Sequence, residues 1–458
     1  MDLLADLLLM SAPRFDIGIH CGTFLSMAGG AARPESDIFL GIRGQEIELI
    51  APWDSSRVIE SKEFIDASDQ VVLPSFVNGH THLAMSLFRG MEDDLPFEKW
   101  LFDRILPLES QFVDSEFVQV GTELAALESI RFGVTTVCDM YFYPESVASV
   151  LDRSGMRGMV SQVWSGFPLP EDKDLGRDKR ALFESFFAKW RSHERITPIL
   201  GPHTPYTCTE EQLREVADLA AKTGARVHIH VSETEGEVLE SLKKHSKTPV
   251  QYLFDLNLLN RQTICAHCVH LNEADIAILK ASGASVVHNP DSNLKLSSGI
   301  APVSRYLAEG IPVALGTDGA ASNNDLSLFG AMDLATKLQK FVGKSNTAMI
   351  AEQALVCATI GGAKALGLDD RIGSLEVGKR ADLVVVDFAF PHLQPVHSVI
   401  SQLVYSTQGL EVDTVICDGK VLMKGKKVLT IDFESLMHRV AVFRDKIGAA
   451  LESLRISS

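Results

Sequence analysis

Between about residues 70 and 330 the chain repeats one alternation, and that alternation limits the folds open to it. Short β-rich runs at 71–78, 134–139, 157–163, 195–201, 226–231, 263–267, 284–288 and 312–316 are separated by stretches of helical periodicity. In the stretch that begins Glu210-Glu211-Gln212-Leu213, Thr209 fits the N-cap, and Asn272 does the same before Glu273-Ala274-Asp275-Ile276. Eight strands with intervening helices are the pattern of an α/β protein of the (β/α)8 TIM-type barrel class. A doubly wound open sheet would gather its polar groups at one switch point. Here they sit at the ends of many runs, so a barrel over residues 71–374 is the expected fold.

The two ends of the chain read differently. Runs at 38–42 and 46–50 near the start, and at 381–387 and 412–422 near the end, are β-type, and Asp418-Gly419 in the last is a hairpin turn signal. Both ends are expected to combine into one small flanking domain, residues 1–70 plus 375–458, β-sandwich-like and closed by an amphipathic helix from about Phe433 to Leu454.

Chemistry-bearing residues cluster where the β-type runs stop. The first run ends in Gly79-His80-Thr81-His82. Side chains two apart on a strand share a face, so both imidazoles point the same way. Two histidines at this spacing also arise as ordinary core or surface residues. The rest of the chain raises the metal reading: a second HxH at His228 and His230, His267 at the end of another apolar run, and Asp318 beside glycines after 311–315. Nitrogen and oxygen donors with no required thiolate favour Zn2+, with Fe2+ as second choice.

Charge and composition exclude several classes. A net charge of −17 argues against nucleic-acid or anionic-membrane binding. No apolar stretch is long enough to span a bilayer, and the N-terminal run lacks a basic flank and is interrupted by Asp6, so a cytoplasmic protein is expected. The seven cysteines imply no disulfide framework, and Cys265 and Cys268 read as buried residues of a strand.

At this point the motifs resemble a known family. Gly79-His80-Thr81-His82, Leu106-Pro107-Leu108-Glu109, Gly201-Pro202-His203, His230-Val231-Ser232-Glu233, Ala266-His267-Cys268, Ser292-Asn293-Leu294-Lys295 and Gly316-Thr317-Asp318-Gly319 occur in one order. Together with Phe97-Glu98-Lys99-Trp100 they are similar to the amidohydrolase superfamily, and within it to the 5-methylthioadenosine/S-adenosylhomocysteine deaminases, near the chlorohydrolase-like branch. The resemblance implies His80, His82, His230 and Asp318 as metal ligands. Binuclear members carry a bridging lysine on the fourth barrel strand. Here that run ends in Gly201-Pro202-His203, which implies one divalent metal per chain.

The implied chemistry is attack of a metal-activated water on C6 of an adenine ring, protonation at N1 and departure of ammonia. Glu233 is the implied general acid/base, Asp318 takes the proton of the water, and His267 holds the attacking oxygen. Taken alone, Glu233 also reads as a solvated loop carboxylate and His267 as a core histidine. Glu109 matches the acid that accepts hydrogen bonds from the two ribose hydroxyls, and His203 a substrate-contacting histidine. Trp100 reads as helix packing or as a pocket wall. Gln162 stands where some homocysteine-binding relatives have an arginine, and Arg177 or Arg180 could supply a second one. That substitution favours the uncharged 5-methylthioadenosine. The expected partner is therefore a small nucleoside, and homo-oligomerisation is left open. Two other readings stand beside it: an amino- or chlorohydrolase of s-triazines or another nucleobase, and a non-catalytic barrel serving as a binding module.

Overall fold

The computed structural model describes residues 14–56, 60–91, 93–96 and 99–457. Residues 1–13 of the expected flanking domain, and Phe97 and Glu98 of the motif above, lie outside the described residues. The chain opens with β1 (Phe15–Leu25), β2 (Pro34–Arg43), β3 (Glu46–Pro52) and β4 (Ser61–Pro74). It continues through β5 (Phe76–Thr81), β6 (Val134–Met140), β7 (Arg157–Trp164), β8 (Ile196–Pro202), β9 (Val227–Val231), β10 (Thr263–His267), β11 (Ser285–His288) and β12 (Val313–Leu315). It closes with β13 (Leu383–Asp387), β14 (Val412–Cys417), β15 (Lys420–Lys424) and β16 (Lys427–Val428).

β5 to β12 form one parallel sheet in chain order. Its two ends meet: Asp318 N donates to His80 O at 3.0 Å, and Thr317 N donates to the Asn78 side chain at 3.1 Å. Val77, Cys138, Met159, Ile199, Ile264 and Val287 fill the interior, so the barrel is a packed core and not a pore. The capping residues act as expected. Thr209 and Asn272 each complete a capping box, at the helices Glu210–Thr223 and Glu273–Ser282.

The other eight strands form a mixed sheet in the order β16-β15-β14-β13-β4-β1-β2-β3, which joins the two ends of the chain. Period-two alternation in β1 buries Ile17, Ile19 and Cys21 against Ile65, Val385 and Ile416 from both arms. Asp418 and Gly419 turn the β14–β15 hairpin with φ of 53° and 73°. The helix Phe433–Ser457 packs on the helix Ser115–Arg131, with Phe443 edge-on to Phe117 at 5.5 Å. Arg157 at the start of β7 ties barrel to sheet through buried pairs with Asp382 (3.2 Å) and Asp418 (3.1 Å).

One strand differs from expectation. The run 71–78 is not a single strand: Val71 to Pro74 end β4 and pair with β13, and the barrel begins at Phe76. Proline has no N–H to extend a ladder, so the chain leaves one sheet at Pro74 and enters the other. Both segments are buried, so the apolar composition does not change at the crossing. All seven cysteines are buried and free, and Cys268 lies just past the end of β10. Among the described residues no helix is long and apolar enough to cross a membrane.

Candidate metal centre and active-site cleft

β5 carries His80 to the centre of the barrel mouth. A Cβ on Gly79 would lie 2.7 Å from Ala314 Cβ, so glycine lets the first and last strands close directly beneath the histidine. The Nε2 atoms of His80 and His82 lie 3.3 and 3.1 Å from Asp318 Oδ1, and His230 Nε2 is 3.4 Å from His82 Nε2. The far nitrogen of each ring is held: His80 Nδ1 by His228 Nε2 at 2.9 Å, His82 Nδ1 by the Met140 carbonyl, and His230 Nδ1 by the His203 carbonyl at 2.7 Å. A carbonyl only accepts, so His82 and His230 donate from Nδ1 and each turns Nε2 inward. Ser292 Oγ donates to Asp318 Oδ2 at 2.7 Å.

This donor set fits a divalent metal. His80, His82 and His230 each offer an atom within 4.8 Å of the others, and His80, His267 and Asp318 form an overlapping group. His80 Nε2 is buried without a hydrogen-bond partner. Burial pushes His80 down to about 4 and holds His230 well below its ordinary value, leaving neutral imidazoles. Burial also opposes charge on His82, but the Asp318 carboxylate outweighs it and lifts that ring to about 9. A metal bound here would take the place of the proton that His82 shares with Asp318. Three imidazoles and one carboxylate suit Zn2+ or Fe2+.

Beside the centre, His267 Nε2 lies 3.8 Å from Glu233 Oε2 and 4.0 Å from Asp318 Oδ2. Asn293 Oδ1 fixes His267 Nδ1 at 2.8 Å, and Ser298 Oγ donates to Glu233 Oε1 at 3.2 Å. Burial raises the Glu233 carboxyl. Ser232, His267 and Asp318 take left-handed φ of 51°, 71° and 61°, a conformation that such residues keep only where surroundings enforce it.

These groups form the floor of a cleft of about 980 Å³, its open mouth included. One wall is the helix Leu106–Phe112, from which Glu109 projects. Glu109 is buried, accepts a 2.8 Å hydrogen bond from Tyr141 OH, and is pushed up to about 7 by burial. His203, after β8, lines the cleft with Nδ1 3.0 Å from Thr207 Oγ1, and burial lowers it to about 3. Trp100 lines the cleft and packs in the core as well. Among the described residues no lysine lines the cleft.

The structure thus brings His82, His230, Asp318, Glu233, His267, Glu109 and His203 to one cleft, with His80 buried beside Asp318. It does not bring Gln162 there. Alternation along β7 turns Val163 to the cleft and Gln162 away, where its Nε2 donates to Glu171 at 2.8 Å beside Lys179. Gln162 therefore does not bear on the choice of 5′ substituent. A second cavity continues from the cleft past Glu109, Phe142 and Phe167, and Lys173 and Arg177 border it. Sequence reasoning missed the groups that orient the site: His228, Tyr141, Ser292, Asn293 and Ser298. His228 left a signal two residues before His230 on the same strand face, and Ser292 and Asn293 stand in one of the family motifs, but neither signal carries a role for them.

The model of the amidohydrolase family matches residues 71–422. The chain belongs to the amidohydrolase family. A 5-methylthioadenosine/S-adenosylhomocysteine deaminase of Caldanaerobacter subterraneus subsp. tengcongensis is 44% identical over 378 residues, 82% of this chain and 86% of the relative. A 5′-deoxyadenosine deaminase of Methanothermobacter thermautotrophicus is 41% identical over 390 residues, 85% of this chain and 88% of the relative. Among solved structures, an adenosine deaminase from Xanthomonas campestris with bound zinc superimposes with a TM-score of 0.92 at 35% identity, covering 95% of this chain and 99% of that one. The resemblance read from the motifs holds, and so does the barrel with a flanking sheet from both chain ends. Amidohydrolases are metal-dependent, in keeping with the His/Asp cluster.

Proposed function

We propose that this amidohydrolase deaminates the adenine ring of 5′-modified adenosine nucleosides, with 5-methylthioadenosine, S-adenosylhomocysteine and 5′-deoxyadenosine as its substrate class. The observation that carries the reading is a buried Glu109 carboxyl in the same cleft as the His/Asp cluster and Glu233. A vicinal diol is the partner that a two-oxygen acceptor on that wall suits, and an s-triazine has none. The names of the relatives support the same class.

His80, His82, His230 and Asp318 would hold one divalent metal, zinc in first place, which supplies Lewis-acid activation of a water. The remaining steps belong to the side chains. Glu233, its carboxyl raised by burial, delivers a proton to N1 as water adds at C6. Asp318 accepts a proton from that water, and His267, with Nδ1 fixed by Asn293, hydrogen-bonds the incoming oxygen. The proton held by Asp318 then passes to the amino group, which leaves as ammonia, while the C6 hydroxyl proton returns to Glu233 and restores its carboxyl. His203, kept neutral, can hydrogen-bond the purine without adding charge. Residues 71–374 are read as the catalytic domain and 1–70 plus 375–458 as its flanking domain, with the sheet crossing at Ser75. The test is ammonia release across adenosine, 5-methylthioadenosine, S-adenosylhomocysteine, 5′-deoxyadenosine, guanine and triazines. Turnover confined to guanine or triazines would overturn the reading.

Glu109 makes a pH-dependent prediction. With its carboxyl at about 7, the group is neutral below that pH and accepts poorly. Above it, the carboxylate can accept hydrogen bonds from both hydroxyls. The ratio of kcat/KM for a ribonucleoside to that for its 2′,3′-dideoxy analogue should rise as pH passes about 7. Glu109→Gln should flatten that rise, and Glu109→Ala should cost nucleosides roughly 10- to 100-fold more than free adenine. An equal loss on nucleoside and free base would remove Glu109 from diol binding.

The second cavity predicts how the tail is read. Lys173 and Arg177 border the extension beyond Glu109, where a homocysteine carboxylate would reach. Arg177 is largely exposed and already faces Asp172 at 3.6 Å, so its contribution is modest. Lys173→Ala/Arg177→Ala should lower kcat/KM for S-adenosylhomocysteine by about fivefold and leave 5-methylthioadenosine unchanged. Parallel losses on both substrates would count against this use of the cavity.

A further inference from the structure

The turn that carries Glu233 is held by an acid that the family motifs leave unassigned. Thr234 caps the helix Glu235–His245, its side chain accepting from Glu237 N at 3.2 Å. Thr at the N-cap with Glu three residues on is the sequence of a capping box, in which the acid reaches back to the backbone N–H of the capping residue itself. Glu237 reaches further. Its Oε1 accepts from Ser232 N at 2.9 Å and its Oε2 from Glu233 N at 2.8 Å. Both amides precede the cap, and one belongs to the residue whose φ of 51° is left-handed. Glu237 is only 6% exposed, so no bulk water competes for these donors.

We infer that Glu237 is a positioning residue for the deamination: its carboxylate clamps two consecutive backbone amides and fixes the turn from which Glu233 reaches the cleft. The inference rests on the acid–base role proposed for Glu233. A carboxylate offers an oxygen to each amide. A glutamine offers one oxygen and one NH2 group, so one backbone N–H would face another donor and the turn would have to move. Displacing a proton-transferring group by about 1 Å can cost up to about 10²-fold in rate. The metal ligands have separate anchors, since His230 is fixed by the His203 carbonyl, and Glu109 sits on another element.

Glu237→Gln should therefore lower kcat about tenfold or more, with metal content unchanged and KM for 5-methylthioadenosine within about twofold. The same substitution made in Glu233→Gln enzyme should bring no further fall, because the clamp acts only through Glu233. Should Glu237→Gln not accumulate as folded protein, Glu237→Asp, which keeps the charge but reaches only one amide, is read by the same cycle. Full kcat in the single variant, loss of metal with it, or a fall that persists undiminished beside Glu233→Gln would overturn the clamp. Normal turnover by Glu233→Gln alone would overturn the acid–base role, and this inference with it. Full speed in Glu237→Gln beside a crippled Glu233→Gln overturns the clamp alone.

Discussion

The Glu233→Gln enzyme is expected to keep its metal and lose at least about 10²-fold in kcat. The amide preserves volume, and its oxygen can still accept the Ser298 hydroxyl that now reaches Oε1 at 3.2 Å. What it cannot do is give a proton to N1 and later take one back from the C6 hydroxyl. No other group in the described site is placed to substitute. His267 lies 3.8 Å from Glu233, but its Nδ1 is committed to Asn293 and its Nε2 faces Asp318. KM should change little, because the diol contact is proposed for Glu109 and the purine contact for His203. The measurement is steady-state kinetics on 5-methylthioadenosine with metal content determined on the same sample. Near-normal kcat in a metal-loaded variant would remove Glu233 from proton transfer.

The catalytic barrel was legible in the sequence because of how its strands are buried. Strands covered on both faces read as unbroken apolar runs, and β6 to β12 stood out between capped helices such as the one that begins after Thr209. The same property hid the crossing at Pro74, where an apolar run continues through two different sheets. The positions proposed as ligands stood out where apolar runs stop, His80 and His82 by their period-two spacing, and the family resemblance supplied the rest of the set. Period two also explains the error at Gln162: a shift of one residue moves a side chain to the opposite face, and Val163 is the one that meets the cleft. The orienting partners were not legible. Tyr141 reaches Glu109 across 32 residues and Ser298 reaches Glu233 across 65, contacts that exist only once the barrel has closed. Glu237 was hidden for a different reason, since its spacing from Thr234 has an ordinary helix-capping explanation.

His82→Ala should lose the metal and the activity together. The ring would supply one of the three proposed imidazole nitrogens, and its Nδ1 is already turned to the Met140 carbonyl, so no rearrangement of β5 is needed for it to ligate. Without it, Asp318 Oδ1 still lies 3.3 Å from His80 Nε2 but lacks the ring at 3.1 Å that balances its buried charge. A metal that binds only the folded chain raises stability by an amount set by its concentration over Kd, about 4 kcal/mol at a thousandfold excess. Chelation should therefore lower the Tm of the wild-type protein and leave that of His82→Ala unmoved. This separates loss of the ion from damage to the barrel, which would lower the Tm of the variant whether or not chelator is present. The same experiment fixes the stoichiometry. With three imidazoles, one carboxylate and no lysine on the cleft wall, the purified protein should carry one divalent metal per chain. Two tightly bound ions in each cleft would contradict the mononuclear centre, and a variant that keeps its metal-dependent Tm shift would exclude His82 from the ligand set.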